Sequence, residues 1–101
     1  MIPVIGPVIQ GPSPNHPAVD IACLPGSEVR AMTNGYGAFH WDHDMGWVFT
    51  QGDISISHLG HRGVSRFYSI GEVISVCGST GRLSAGSHVH VEGPPEVLSS
   101  F

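Results

Sequence analysis

Glycine and proline punctuate this chain so densely that a long helix has nowhere to form. Its 101 residues include 14 Gly and 8 Pro, and most windows of about eleven residues contain one or the other. Proline inside a helix removes a hydrogen bond and clashes with the preceding turn, and glycine there costs about 1 kcal/mol against alanine. Short β-branched runs of alternating polarity lie between the breaks. Strands are expected at 18–23, 28–32, 47–50, 53–59, 72–77 and 87–92, with turn signals at Pro25-Gly26, Asn34-Gly35, Gln51-Gly52, 60–63 and 78–86. Many short strands joined by Gly-rich turns predict an all-β chain, a small antiparallel β-sandwich or barrel-like fold. The expected organisation is an extended arm at 1–14, one domain at 15–93 and a tail at 94–101.

Charge narrows the partners. Lys and Arg together number 4 against 8 Asp and Glu, for a formal net charge of −4, and lysine is absent. A nucleic-acid binder needs a basic stripe against phosphates, so no nucleic-acid partner is expected. The polybasic route to an anionic membrane is disfavoured for the same reason. Charged residues make up 12% of the chain, about half the ~25% of an ordinary soluble domain. The 41% hydrophobic content still suffices for a core. No apolar run is long enough to span a bilayer, so membrane insertion is not expected. The start, MIPVIGPVIQGPSPN, lacks a positive n-region and is not expected to act as a signal peptide.

Histidine is over-represented: 7 His exceed all Lys and Arg together. Imidazole is the commonest metal ligand and the usual acid–base group near neutral pH. In Ser87-His88-Val89-His90-Val91-Glu92, strand alternation turns His88 and His90 to one face and the two valines to the other. In His16-Pro17-Ala18-Val19-Asp20, a His and an Asp four apart share a face of either a helix or a strand. In 53–59, Ile54, Ile56 and His58 share a strand face, which sets an imidazole at the end of an apolar stripe. Each piece alone also has an ordinary reading: an exposed imidazole pair, a surface His–Asp pair, a core-edge histidine. Together they supply what zinc catalysis needs, three N/O ligands and nearby proton-transfer groups. His16, Asp20 and one of the paired histidines suit the first role, with the other paired histidine and His58 left for the second.

In this order the pieces resemble the lysostaphin/LytM-type zinc endopeptidases, which cut peptide bridges in peptidoglycan. The family's H-x-x-x-D and following apolar stretch are similar to HPAVDIACLPGSEVRA, its H-L segment to ISISHLG, and its closing G-x-x-G-x-T-G-x-x-x-G-x-H-x-H-x-E to GEVISVCGSTGRLSAGSHVHVEG. The resemblance runs from His16 to Glu92, about three quarters of the chain. It implies a lysostaphin-type duplicated hybrid motif with a zinc-lined groove, and one Zn²⁺ per chain held by His16, Asp20 and His90. It further implies that His58 and His88 flank the zinc-bound water as catalytic residues, and that the partner is a peptidoglycan peptide. Zinc brings the pKa of bound water to roughly 7. No H-E-x-x-H is present to supply a glutamate base, so imidazoles must relay the proton. The chain departs from the family pattern at Pro17, at Ala18 where the family usually has Gly, and at Ile56-Ser57, and its 60–71 stretch is short.

The setting expected from the sequence is the bacterial cell wall, reached as part of a phage particle or lysis system alongside other virion or assembly proteins. The competing expectation is a catalytically inactive LytM-like module of a larger assembly. No motif tells a direct D-Ala cross-link from a glycine bridge as the bond cut. His40-Trp41-Asp42-His43-Asp44 reads as a second metal site or as a polar hairpin tip, and His61 competes with His58. Gly78-Ser79-Thr80-Gly81 lacks the G-K-[ST] of a phosphate loop and reads as a tight turn feeding the H-x-H strand. Cys23 and Cys77 sit in apolar contexts and read most simply as small buried hydrophobes, with a single bridge as the alternative.

Overall fold

The structure is a computed structural model that describes residues 2–101. Among the described residues, nine strands and one short helix follow in order: β1 (Val8–Gln10), β2 (Ala18–Ala22), β3 (Glu28–Arg30), β4 (Gly35–Asp42), β5 (Gly46–Gln51), β6 (Ile54–Leu59), β7 (Arg66–Tyr68), β8 (Val73–Val76), β9 (His88–Glu92) and α1 (Pro95–Leu98). All the pairings are antiparallel, as the alternating short runs predict. Seven strands form one sheet in the order β1-β2-β9-β6-β5-β4-β7, and β3 pairs with β8 in a two-stranded sheet. Val29 of β3 and Ile74 of β8 join the core cluster of the large sheet, so the small sheet is a second layer over one core.

The centre of the large sheet shows why the chain folds this way. In β2, Val19 and Ile21 are 0% and 1% exposed, and in β9 both Val89 and Val91 are 0% exposed. The paired register sets Asp20 opposite His90 and Ala22 opposite His88. Hence the valine and isoleucine faces of both strands enter the core together, and the polar faces meet on the other side. Burying each such aliphatic side chain contributes about 1.5–3 kcal/mol, enough to fix a register that a one-residue slip would invert.

The sequence reading misses β1, β4 and β7. In β4, Gly35 and Gly37 obscure the strand pattern, yet Gly37 is required by packing: a Cβ there would run into the Phe49 ring across the β4–β5 pair. The segment expected as an extended arm supplies β1 and packs along the domain; Met1, its first residue, lies outside the described residues. Pro3 is fully buried and Val4 is buried, while the carbonyls of Pro3 and Pro7 accept hydrogen bonds from the Arg30 and Ala22 N–H groups. In the tail, α1 buries Leu98 in the same core cluster, with Val97 and Phe101 packed against it.

The cysteines depart from the simplest reading of the sequence. Cys23 and Cys77 form a disulfide across a sequence separation of 54. Both lie in apolar surroundings, as expected, but β2 and the segment after β8 approach closely enough to join them.

Candidate metal centre

Strand register assembles most of the site. Asp20 on β2 sits beside His90 on β9, whose other neighbour is Ser57 on β6. His16, four residues ahead of Asp20, is turned back by the Ser13–His16 bridge, so its Nε2 lies 3.1 Å from Asp20 Oδ2. Donor atoms of His16, Asp20 and His90 all lie within 4.8 Å of one another. All three side chains are only 13–18% exposed.

Hydrogen bonds to carbonyls settle which nitrogens of His16, His58 and His88 are free, whereas His90 faces a carboxylate at each nitrogen. A carbonyl can only accept, so a ring nitrogen facing one carries the proton. His16 Nδ1–H donates to Gly11 O at 3.3 Å, which leaves the Nε2 lone pair facing Asp20 Oδ2. His90 Nε2 faces Glu92 Oε2 at 3.1 Å, and its Nδ1 faces Asp20 Oδ1 at 2.9 Å. With His90 Nε2–H donated to Glu92, lone pairs of both histidines confront carboxylate oxygens. Such an all-acceptor group is reconciled by a cation at its centre. Two imidazole nitrogens and a carboxylate oxygen are a donor set suited to zinc, and Glu92 behind His90 is the usual orienting partner of a ligating histidine. The residues fit the metal.

His58 reaches this group by a route that alternation does not foresee. The β5–β6 register pairs Phe49 with Ile56 but Trp47 with Leu59, so β6 carries one extra residue there. Ile54, Ile56 and Leu59 enter the core, and His58 takes the left-handed conformation at φ 61°. The bulge therefore turns His58 out of the apolar stripe, correcting its expected face, and aims its ring at the site. Its ring centroid lies 4.8 Å from that of His88 and 6.2 Å from that of His90. His58 N–H donates to Met45 O at 2.8 Å, and Nδ1–H donates to Thr80 O at 2.7 Å, leaving Nε2 as the free lone pair. Burial pushes the His58 imidazole below its ordinary value of 6.5, with the Thr80 hydrogen bond opposing, so the ring is neutral at pH 7. His88 likewise donates Nδ1–H to Gly86 O at 3.0 Å and turns Nε2 toward Asp20 Oδ1, 3.9 Å away.

Thr80, which the sequence places in a tight turn, locks this corner. Its hydroxyl donates to Leu59 O at 2.6 Å and accepts from Trp47 N–H at 3.1 Å, while its carbonyl holds His58. Gly46, at φ 72°, passes so close that a Cβ would strike Thr80. The signal for Thr80 was present in the T-G of the closing motif, as was the signal for Glu92 in its final E.

The other candidates lie elsewhere. His40 to Asp44 forms the end of the β4–β5 hairpin. There Asp42 Oδ1 accepts the Asp44 and Met45 N–H groups, each at 2.9 Å, and Asp44 pairs with Arg82 at 2.8 Å. Both carboxylates are thus engaged, and among the described residues the segment gathers no metal-ligand group, as a polar hairpin tip would. His61 is exposed and bonded to Arg62 O, apart from the cluster.

The sequence matches no protein-family model and no curated protein. Solved structures do match. The chain superposes on a Pseudomonas aeruginosa protein assigned to peptidase M23 with a TM-score of 0.76 at 27% identity, covering 90% of this chain and 42% of that one. A zinc-containing peptidase from Vibrio cholerae matches with a TM-score of 0.74 at 22% identity, covering 89% and 34%. The catalytic domain of lysostaphin from Staphylococcus simulans matches with a TM-score of 0.65 at 25% identity, covering 87% and 74%. The chain spans less than half of the first two proteins and about three quarters of the lysostaphin domain. The shared β-rich fold and the ordered motifs make this chain similar to the lysostaphin/LytM-type, M23, peptidases.

Proposed function

We propose that the chain is a zinc-dependent endopeptidase that hydrolyses peptide cross-links of bacterial peptidoglycan. The observation that carries this reading is the convergence of a His-Asp-His donor group with two further histidines whose Nε2 atoms are free. His16, Asp20 and His90 would hold one Zn²⁺ per chain, and Glu92 would orient His90. Zinc in such a site supplies a Lewis acid and a nucleophile competent at neutral pH. The remaining chemistry falls to this chain's side chains. His58, neutral and with Nδ1–H fixed on Thr80, can take a proton at Nε2 and pass it to a leaving amine. His88, held by Gly86, presents the second Nε2 and in its protonated form can donate to the oxygen on which charge develops.

Action at the cell wall belongs to the same proposal. The Cys23–Cys77 disulfide supports it, since such bridges persist where the surroundings are oxidising. Among the described residues, no helix is long and apolar enough to cross a membrane.

The test measures bound zinc and release of peptide from purified peptidoglycan, for the native chain, Asp20→Ala, His90→Ala and His88→Ala. One zinc per native chain is expected, lost in the first two variants and kept in the third, with cleavage lost in all three. A folded native chain that binds zinc but releases nothing leaves the inactive-module reading in its place.

A further inference from the structure

Beside Asp20 and His88 the surface opens into a cavity of about 410 Å³, at the small end of ligand sites. Its walls come from segments far apart in the chain, Ile9 of β1 and Leu83 and Ala85 of the loop before β9. Ile9 is 60% exposed and Leu83 is 56% exposed. Large aliphatic side chains left open to water beside reactive groups mark a place where something apolar is received.

The walls are held in place before anything binds. Gln10, next to Ile9, is in register with Asp20 across the β1–β2 pair. Leu83 N–H donates to Asp44 O at 3.0 Å and Arg82 N–H to His43 O at 2.9 Å, which ties the loop to the β4–β5 hairpin tip. No Lys or Arg lines the cavity, and its one acidic residue is Asp20, already assigned to the donor group. Beside the polar edge formed by Asp20, Ser87 and His88, the cavity therefore offers aliphatic surface and no permanent positive charge to pair with a substrate carboxylate.

We propose that this cavity is a specificity subsite that takes a small, uncharged aliphatic side chain next to the bond to be cut. The chain then selects peptides with alanine-type residues over all-glycine bridges, because glycine presents no side chain to the Ile9 and Leu83 walls. As a statement about cleavage this rests on the hydrolase reading, but binding tests it separately. One methylene in an apolar pocket is worth roughly ten- to two-hundredfold in discrimination, and an open pocket sits at the low end, about tenfold.

The experiment titrates the zinc-loaded native chain with tetra-alanine amide and with tetraglycine amide. Binding is followed by NMR shifts, and hydrolysis in the same tubes by mass spectrometry. The same titrations use Ile9→Ser/Leu83→Ser, whose two positions are exposed and outside the donor group, with zinc content checked in each sample. The expected result is about tenfold tighter binding of tetra-alanine by the native chain, falling to parity in the variant at unchanged zinc content. Equal binding of the two peptides by the native chain, no saturable binding of tetra-alanine, or a preference that survives in the variant overturns the subsite. A preference seen without hydrolysis of these peptides or of peptidoglycan keeps the subsite and removes the hydrolase reading. Hydrolysis without preference does the reverse.

Discussion

Removing the Cys23–Cys77 disulfide should cost this small domain a large part of its stability. The bridge closes a loop with a sequence separation of 54. In the chain-entropy account, a loop of that length lowers the entropy of the unfolded chain enough to stabilise the fold by about 4 kcal/mol at 25 °C. Cys77 is only 2% exposed, so replacing it by alanine adds a cavity term of up to about 1 kcal/mol. For a chain of this size, 4 kcal/mol corresponds to a fall in melting temperature of roughly 15–30 °C. The assay is urea unfolding of the native chain and of Cys23→Ala/Cys77→Ala, both with a chelator present so that metal binding does not mask the difference. The dependence on urea should also steepen in the variant, because an unbridged unfolded chain exposes more surface. A loss below about 1 kcal/mol with an unchanged slope would refute the argument, as would two free thiols in the folded native chain.

Three further outcomes follow from the site and its supports. Because His58 sits at φ 61°, His58→Gly should be more stable than His58→Ala by about 1 kcal/mol in the same urea assay, and equal stability would deny the strain. Gly46→Ala forces Thr80 aside, so it should destabilise by about 2 kcal/mol or more; it should also erase the slowly exchanging His58 Nδ1–H resonance, and a retained resonance counts against the lock. Glu72 accepts the Ser69 N–H and pairs with Arg66, which holds its carboxyl below the ordinary 4.5. A carboxyl lowered in the folded state stabilises at pH above 4.5 and loses that contribution as pH falls through its folded value. Native and Glu72→Gln unfolding curves should therefore differ at neutral pH and converge in acid, and a constant gap would exclude the linkage.

What the sequence by itself determined is the local pattern. Alternation in 18–22 and 88–92 is a property of adjacent residues in an extended chain, so it already separates Val19, Ile21, Val89 and Val91 from Asp20, His88 and His90. The all-β class and the exclusion of a long helix follow from the same local information, and the order of the motifs carries the resemblance to lysostaphin/LytM-type peptidases. The tertiary structure decided whatever depends on which distant segments touch. β4 was illegible because Gly37 makes sense only against the Phe49 ring on the neighbouring strand. The face of His58 was misread because a bulge is set by the register of β5 against β6, with Leu59 rather than His58 taking the core position. The pairing of Cys23 with Cys77, the lock at Thr80 and the placing of Ile9 and Leu83 around one cavity likewise come from packing. A residue's own pattern selects its conformation and face, but contacts across tens of residues are chosen only when the whole core closes, because their loop-closure entropy is offset by burial elsewhere in the chain.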